Sequence, residues 1–280
     1  MQGTVFCGTP FSLRRNRMAR FCVLASSSAG NSTYISCGEG ALLVDAGISC
    51  RRISRSLADL GEELGKIAGI LLTHEHADHV KGLRILTKNT GAPVYATAPV
   101  LRYLEENALV DPRSKLVEVG PRPFAAAGIE VSAYATPHDS VGSVGYRFLL
   151  PGGQKIAVAT DLGQVTGEVY DGVRGCDLAL LEANYDPELL RMGRYPYFLK
   201  RRISGNDGHL ANPSCAEFAC GLLESGTTRL ILGHLSRENN CPALAEQTVD
   251  DALRRAGARR GIDYELSVAP YDEPGRLVRL

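Results

Sequence analysis

The stretch Thr73-His74-Glu75-His76-Ala77-Asp78-His79 limits what this chain can become more than any other. Three imidazoles and two carboxylates fall within seven residues, directly after the apolar run Ile70-Leu71-Leu72, which reads as a buried strand ending in a loop. Neutral imidazole nitrogen and carboxylate oxygen suit Zn²⁺, Mn²⁺ or Fe²⁺, and the absence of a thiolate favours a site with positions left for water over a closed structural zinc knot. His74 and His76 are two apart, so an extended segment projects both to one side. Asp78 and His79 follow where the chain would turn into a helix and can point at a second, adjacent ion. The helical His-Glu-x-x-His pattern of zinc proteases is excluded, because the fifth position counted from His74 is Asp78.

The chain has only six histidines in 280 residues, and three stand in this stretch. The others have related settings: His138 in Ala135-Thr136-Pro137-His138-Asp139 past a strand, His209 in Gly208-His209-Leu210-Ala211-Asn212 before a helix, and His234 in Gly233-His234-Leu235-Ser236 past a strand. Functional groups concentrate at such element ends, whereas packing alone does not account for all six occupying them. Asp161, in Ala159-Thr160-Asp161-Leu162-Gly163, closes another strand and adds a carboxylate; Asp45, in Val44-Asp45-Ala46-Gly47, is a candidate partner for the second nitrogen of a ligand histidine.

A length of 280 residues with 44% hydrophobic content allows a well-buried core. Thirty-one basic and 31 acidic residues give no net charge, so any surface for a polyanion must be local. The eight cysteines form no Cys-x-x-Cys pair and lie mostly in apolar segments, as reduced core cysteines of a cytoplasmic protein would. No apolar run approaches the roughly 18 residues of a membrane span. Residues 1–17 carry Arg14, Arg15 and Arg17 without an acid and lack an apolar core for a secretion signal; the expectation is a flexible basic extension ahead of a single domain over 18–280, with Met18 the natural start.

Short strand-like runs at Phe21–Ala25, Thr33–Ser36 and Ala41–Asp45 open the chain as an antiparallel meander, with the hydroxyl-rich turn 26–32 able to line an oxyanion or phosphate pocket, although a plain turn has the same composition. Residues 49–61 read as an amphipathic helix, and helices are also expected at 80–88, 100–107, 213–223 and 243–256. Further strands are expected at 93–96, 115–119, 129–134, 144–150, 155–159, 178–181 and 230–232. Strands in runs with helices interposed favour a layered α/β sandwich over a doubly wound sheet. The segment Arg191–Arg202 holds five cations, three aromatics and no acid. It reads either as a surface for single-stranded nucleic acid or as a solvated loop and helix with its aromatics tucked into the core.

The His-x-His-x-Asp-His pattern after a short apolar strand resembles the first ligand motif of the metallo-β-lactamase superfamily, which implies a four-layer αβ/βα sandwich with two metal ions, zinc or manganese with iron as an alternative, at one edge. The resemblance implies that His74, His76, His138 and Asp161 bind one ion, and that Asp78, His79, Asp161 and His234 bind the other. Gly208-His209 is similar to the element that the phosphodiesterase branches, the tRNA 3′-processing endonucleases among them, place ahead of the last ligand. Four stretches bring the chain closer to the YycJ/WalJ-like subgroup, bacterial proteins regarded as DNA exonucleases: 24–32, 44–47, 208–212 and 235–240. Ser27-Ser28-Ala29 departs from a more glycine-rich loop in that subgroup, and Ala211 from a serine.

The activity the resemblance implies is hydrolysis of phosphodiester bonds by a hydroxide bridging two ions, with the subgroup pointing to a DNA exonuclease, Asp78 orienting the hydroxide and His209 protonating the leaving oxygen. Ser28, Asn31, Lys200, Arg202 and Asn239 are the candidate contacts to a nucleic-acid substrate. A thioester hydrolase of the glyoxalase II kind, and a metal-stabilised nucleic-acid-binding protein without catalysis, are the competing readings.

Overall fold

Strands covered on both faces read as unbroken apolar runs rather than alternating ones, and Phe21-Cys22-Val23-Leu24, Leu178-Ala179-Leu180-Leu181 and Leu230-Ile231-Leu232 are of that kind. The computed structural model, which describes residues 18–38 and 40–280, places them in two seven-stranded mixed sheets. One sheet runs in chain order through β1 (Arg20–Ala25), β2 (Ser32–Cys37), β3 (Gly40–Val44), β4 (Ile67–Leu71), β5 (Val94–Ala96) and β6 (Leu116–Glu118). The other runs through β7 (Phe124–Ala126), β8 (Ile129–Ala135), β9 (Val144–Leu149), β10 (Lys155–Ala159), β11 (Leu178–Glu182), β12 (Arg229–Gly233) and β13 (Glu265–Val268). The last strand, β14 (Val278–Arg279), returns to pair antiparallel with β1 at the edge of the first sheet.

The period-two alternation of a strand divides each run between two cores. Phe21 and Val23 of β1, with Leu178 and Leu180 of β11, face the interior between the sheets, where Ile35, Tyr146 and Phe148 join them. Cys22 and Leu24 face outward onto Ile53 and Leu57 of α1 (Cys50–Asp59), Leu83 and Leu86 of α3 (Leu83–Thr90), and Val100 and Leu104 of α4 (Ala98–Glu106); the short α2 (Ala77–Val80) precedes α3. Ala179 and Leu181 on the other outer face meet α5 (Gly167–Val173), α8 (Asn212–Glu224) and α9 (Pro242–Arg255) through Val169, Phe218 and Val249. Two shorter helices, α6 (Pro187–Met192) and α7 (Tyr197–Ile203), lie in the connection between β11 and α8. The result is the expected four-layer sandwich.

Strands β3, β4 and β5 are parallel, as are β10, β11 and β12, so their carboxyl ends collect along one edge of each sheet. β8 is antiparallel to β9, itself antiparallel to β10, and so ends on the same side as β10. The two edges are tied together: Tyr146 Oη donates to the Leu72 carbonyl at 2.7 Å, Val144 N to the Thr73 carbonyl at 3.0 Å, and His234 N to Ser26 Oγ at 2.7 Å. Asp45, His74, His138, Asp161, Glu182 and His234 are thereby gathered where the sheets meet.

The helix expected over 80–88 is interrupted at Gly82. A Cβ there would stand 2.0 Å from the Ile48 carbonyl oxygen, and Gly82 N donates to the Ala46 carbonyl, so the chain bends to pass the 46–48 loop. β7, β13, β14, α5 and α6 were not anticipated; β7 and β14 are only three and two residues long, and β13 carries exposed Glu265 and Ser267 in a short run. Among the described residues Cys22, Cys50, Cys176 and Cys215 are buried as expected of core thiols, whereas Cys241 is exposed. No helix among them is long and apolar enough to cross a membrane. The basic extension expected over 1–17 lies outside the described residues.

Close approach of backbones also sets Gly47, where a Cβ would fall 1.6 Å from the Asp78 carbonyl oxygen and 2.6 Å from Asn31 N. Backbone cannot step aside as a flexible side chain can, so Gly47→Ala is expected to destabilise by about 3 kcal/mol and lower the melting temperature by roughly 6–12 °C. Gly65→Ala, which meets nothing within 4 Å, is the control expected to leave it unchanged in thermal unfolding.

Candidate metal centre

Three non-glycine residues at this edge adopt a left-handed backbone: Asp45 (φ 63°) after β3, Asp161 (φ 61°) after β10 and His234 (φ 54°) after β12. Such a conformation costs on the order of 1–2 kcal/mol at a residue with a Cβ. All three lie just past a strand end, where the chain turns off its sheet, and all three point into one polar cluster.

Within that cluster Asp161 is the common neighbour. Its Oδ2 lies 3.3 Å from His79 Nε2, and its Oδ1 lies 3.4 Å from His234 Nε2 and 3.6 Å from His138 Nε2. On one side His138 Nε2 is 3.3 Å from His76 Nδ1, and the ring of His74 packs 4.6 Å from that of His76 and 4.9 Å from that of His138. On the other side Asp78 Oδ2 is 3.3 Å from His79 Nε2 and 4.0 Å from His234 Nε2. His74, His76 and His138 form one group whose ligand atoms lie within 4.8 Å of one another; Asp78, His79 and His234 form a second; Asp161 forms such groups with His74 and His79, and with Glu182, His209 and His234. All seven residues expected to hold metal are thus brought together.

Hydrogen bonds set which ring nitrogen each histidine offers. Gly208 O can only accept, so His138 Nδ1, 2.9 Å away, carries the proton and Nε2 presents its lone pair to the cluster. The Asp45 carboxylate, 2.8 Å from His79 Nδ1, keeps a proton on that nitrogen and turns Nε2 toward the cluster. Thr73 Oγ1 gives its proton to Asp45 at 3.0 Å and so accepts from His74 Nδ1 at 3.0 Å, leaving His74 Nε2 bare. Outer groups of this kind orient ligand imidazoles. His74 Nε2 and Asp161 Oδ2 are buried at the cluster with no hydrogen-bond partner, a state costly for any polar atom and relieved by coordination. The residues present therefore fit a pair of divalent ions.

Charge is distributed unevenly. Burial pulls the His79 pKa down, but Asp45, Asp161 and Asp78 hold it well above the ordinary imidazole value. Burial and then His79 keep His74 well below it. Burial would raise Asp161, yet His234, His79, His74 and His138 hold it well below the ordinary carboxylate range.

His209 stands at the rim, its ring 5.1 Å from that of His138 and 5.3 Å from that of His234. Its Nδ1 lies 2.8 Å from Glu182 Oε1, while Glu182 Oε2 accepts from the backbone N–H of Leu162 at 2.6 Å and of Leu210 at 3.3 Å. Burial opposes a charge on this imidazole, but Glu182 outweighs it and raises the pKa to about 9. Glu182 is the group the sequence signals least; an acid closing the buried run Leu178–Leu181 is the signal that could have marked it.

The expected substrate contacts divide. Asn31 is buried and reaches the cluster, its Nδ2 3.1 Å from His79 Nε2 and 3.3 Å from Asp78 Oδ2. Ser28 is exposed in the adjoining turn. Lys200 and Arg202 lie on α7; Arg202 pairs with Asp139, the neighbour of His138, and Lys200 donates to the Arg191 carbonyl. Asn239 is buried, its amide against Ser236 Oγ at 3.4 Å and its carbonyl accepting from Asp186 N, so it ties a turn together.

Residues 41–235 match the family model described as a beta-lactamase superfamily domain. The chain is 34% identical over 250 residues to the exodeoxyribonuclease WalJ of Streptococcus pneumoniae, and 34% identical over 249 residues to the exodeoxyribonuclease YycJ of Bacillus anthracis, covering 88% of this chain and 93% of each relative. The crystal structure of the metallo-β-lactamase fold protein YhfI from Bacillus subtilis superposes with a TM-score of 0.71 over 94% of this chain and 99% of that one, at 16% identity, a likeness of fold. With that fold, that edge cluster and those relatives, the chain belongs to the metallo-β-lactamase superfamily, among the relatives of WalJ and YycJ.

Proposed function

We propose that this chain is a metal-dependent exodeoxyribonuclease. The observation that carries the reading is the convergence of seven ligand-type side chains from both sheets on a site where two buried polar atoms, His74 Nε2 and Asp161 Oδ2, have no hydrogen-bond partner. The names of the relatives supply the substrate, DNA. His74, His76, His138 and Asp161 would hold one ion, and Asp78, His79, Asp161 and His234 the other. A set of nitrogen and oxygen donors without thiolate suits Zn²⁺ or Mn²⁺, with Fe²⁺ also accommodated. Two such ions supply a water ionised near neutral pH and neutralise charge on the phosphoryl oxygens.

The remaining work falls to the chain's own groups. Asp78, with 23% of its side chain exposed against 2% for Asp161, is the carboxylate accessible from the cleft and orients the attacking water. As that water bonds to phosphorus and the phosphorus–oxygen ester bond breaks, the departing oxygen needs a proton. His209 is held as imidazolium by Glu182 through Nδ1, which leaves Nε2–H to donate. Glu182 is itself fixed by the Leu162 and Leu210 N–H groups, so the imidazolium is positioned as well as charged.

His209→Ala is expected to retain both ions by elemental analysis and to lose about 10²–10⁴-fold of the rate on end-labelled DNA; cleavage at the parental rate would remove the acid role. Glu182→Gln is expected to lose part of that rate, with the activity limb assigned to the acid moving to lower pH, because His209 would no longer be held near 9. Asp161→Ala is expected to retain at most one ion and no activity; two ions retained would overturn the shared-ligand assignment. Because His79 has a raised pKa in the ion-free protein, it is protonated at neutral pH and must release that proton to bind an ion. Affinity for Zn²⁺ or Mn²⁺ is therefore expected to strengthen as pH rises, with proton release visible by calorimetry in buffers of different ionisation enthalpy.

A further inference from the structure

α7 has no buried residue, and the two rings at its start are among the most exposed large apolar side chains of the described residues: Tyr197 at 76% and Phe198 at 73%, with Met192 at 74% nearby. The aromatics of the 191–202 segment were open to being core residues; for these two the structure excludes it. Exposed apolar side chains of this size gathered in one short stretch mark an interaction surface.

Charge says what kind. From Arg191 to Arg202 there are five cations and no acid in a chain of zero net charge. Arg191 is paired with Glu188 and Arg202 with Asp139, while Arg194 and Arg201 are exposed and without an ion pair among the described residues. On a helix, positions three and four apart share a face. Tyr197 therefore shares a face with Lys200 and Arg201, and Phe198 with Arg201 and Arg202. Each ring is followed, about one turn on, by cations that can meet phosphate.

The surface is continuous with the metal centre. His209 N donates to the Ile203 carbonyl at 2.8 Å, and Asp139 N donates to the Asp207 carbonyl at 2.9 Å. A Cβ on Gly208 would stand 2.2 Å from the Arg202 carbonyl oxygen, so the carboxyl end of α7 is packed directly against the loop carrying His209. We infer that α7 is a stacking platform for the unpaired bases of a single DNA strand, with Arg201 and Arg194 on its phosphates, and that it leads that strand to the cluster. Unpaired bases offer faces to Tyr197 and Phe198, whereas bases within a duplex do not. This rests on the nuclease reading and adds strand selectivity to it.

The test uses metal-loaded protein and a phosphorothioate 12-mer that resists cleavage, single-stranded or annealed, with binding read by fluorescence anisotropy. Tyr197→Ala/Phe198→Ala is expected to weaken single-strand binding about 10–100-fold with little effect on the duplex, at an unchanged melting temperature. Tyr197→Phe/Phe198→Tyr, which keeps both rings, is expected to bind as the parent. Arg201→Gln is expected to weaken binding and reduce the salt slope by about one phosphate contact. Unchanged single-strand affinity in the double alanine variant overturns the proposal. So does equal loss on duplex and single strand, or a parental dimer in sedimentation that the double variant abolishes, which would make the occupant a second copy. Hydrolysis of bis(p-nitrophenyl) phosphate by the parental protein tests the phosphodiesterase reading separately, since that reporter has no strand to stack.

Discussion

The burial of Asp161 is the constraint on which the site depends. Its carboxylate is almost fully enclosed, ringed by imidazoles of His79, His138 and His234, with Oδ2 lacking any hydrogen-bond partner. A buried anion is tolerated only when cations surround it or it coordinates metal. In the ion-free protein that role falls to protonated imidazole, above all His79; under the proposed reading it passes to the divalent ions, and the imidazoles become neutral ligands. The same geometry therefore serves both states by exchanging protons for metal.

Gathering these groups requires that two sheets end together. The left-handed turns at Asp45, Asp161 and His234 would be unfavourable in isolation, and they persist because the surroundings over-determine them. Asp45 holds Thr73 and His79; His234 N is received by Ser26 Oγ from the opposite sheet. Cross-sheet bonds such as Tyr146 Oη to the Leu72 carbonyl keep the edges in register. Strain at the strand ends is thus offset by packing and hydrogen bonds a few residues behind them.

Much of this was legible before the structure. Apolar runs bounded by turn residues located the central strands, and the crowding of histidines at element ends located the edge. The candidate ligands converge because His74, His138, Asp161 and His234 each sit within three residues of a strand end, a position that periodicity can find, and His76, Asp78 and His79 follow His74 in the same short stretch. What periodicity cannot find is a residue whose partner is distant in sequence: Glu182 and His209 are 27 residues apart, and only the fold brings them to 2.8 Å. Thr73, wedged between Asp45, His74 and His79, was invisible for the same reason. Two- and three-residue strands such as β14 and β7 contain too few positions for a pattern, and the break at Gly82 comes from a loop 34 residues upstream. The orientation of Tyr197 and Phe198, in or out, was likewise open until their helix was seen to bury nothing.

His74 and His209 show how one side-chain type is divided between two tasks. Both are close to Asp161 and both face other imidazoles, so proximity to charge alone does not separate them. His74 is fully buried, and its Nδ1 meets a hydroxyl whose own proton is already given to Asp45; burial and then His79 outweigh the pull of Asp161, and the ring stays neutral with Nε2 bare. His209 meets the Glu182 carboxylate at Nδ1, two backbone N–H donors hold that carboxylate in place, and its charge raises the imidazole pKa to about 9 against the opposing effect of burial. Under the proposed reading the first environment suits a ligand and the second an acid, and Glu182, by charging His209, is the residue that would equip the edge to release a leaving group.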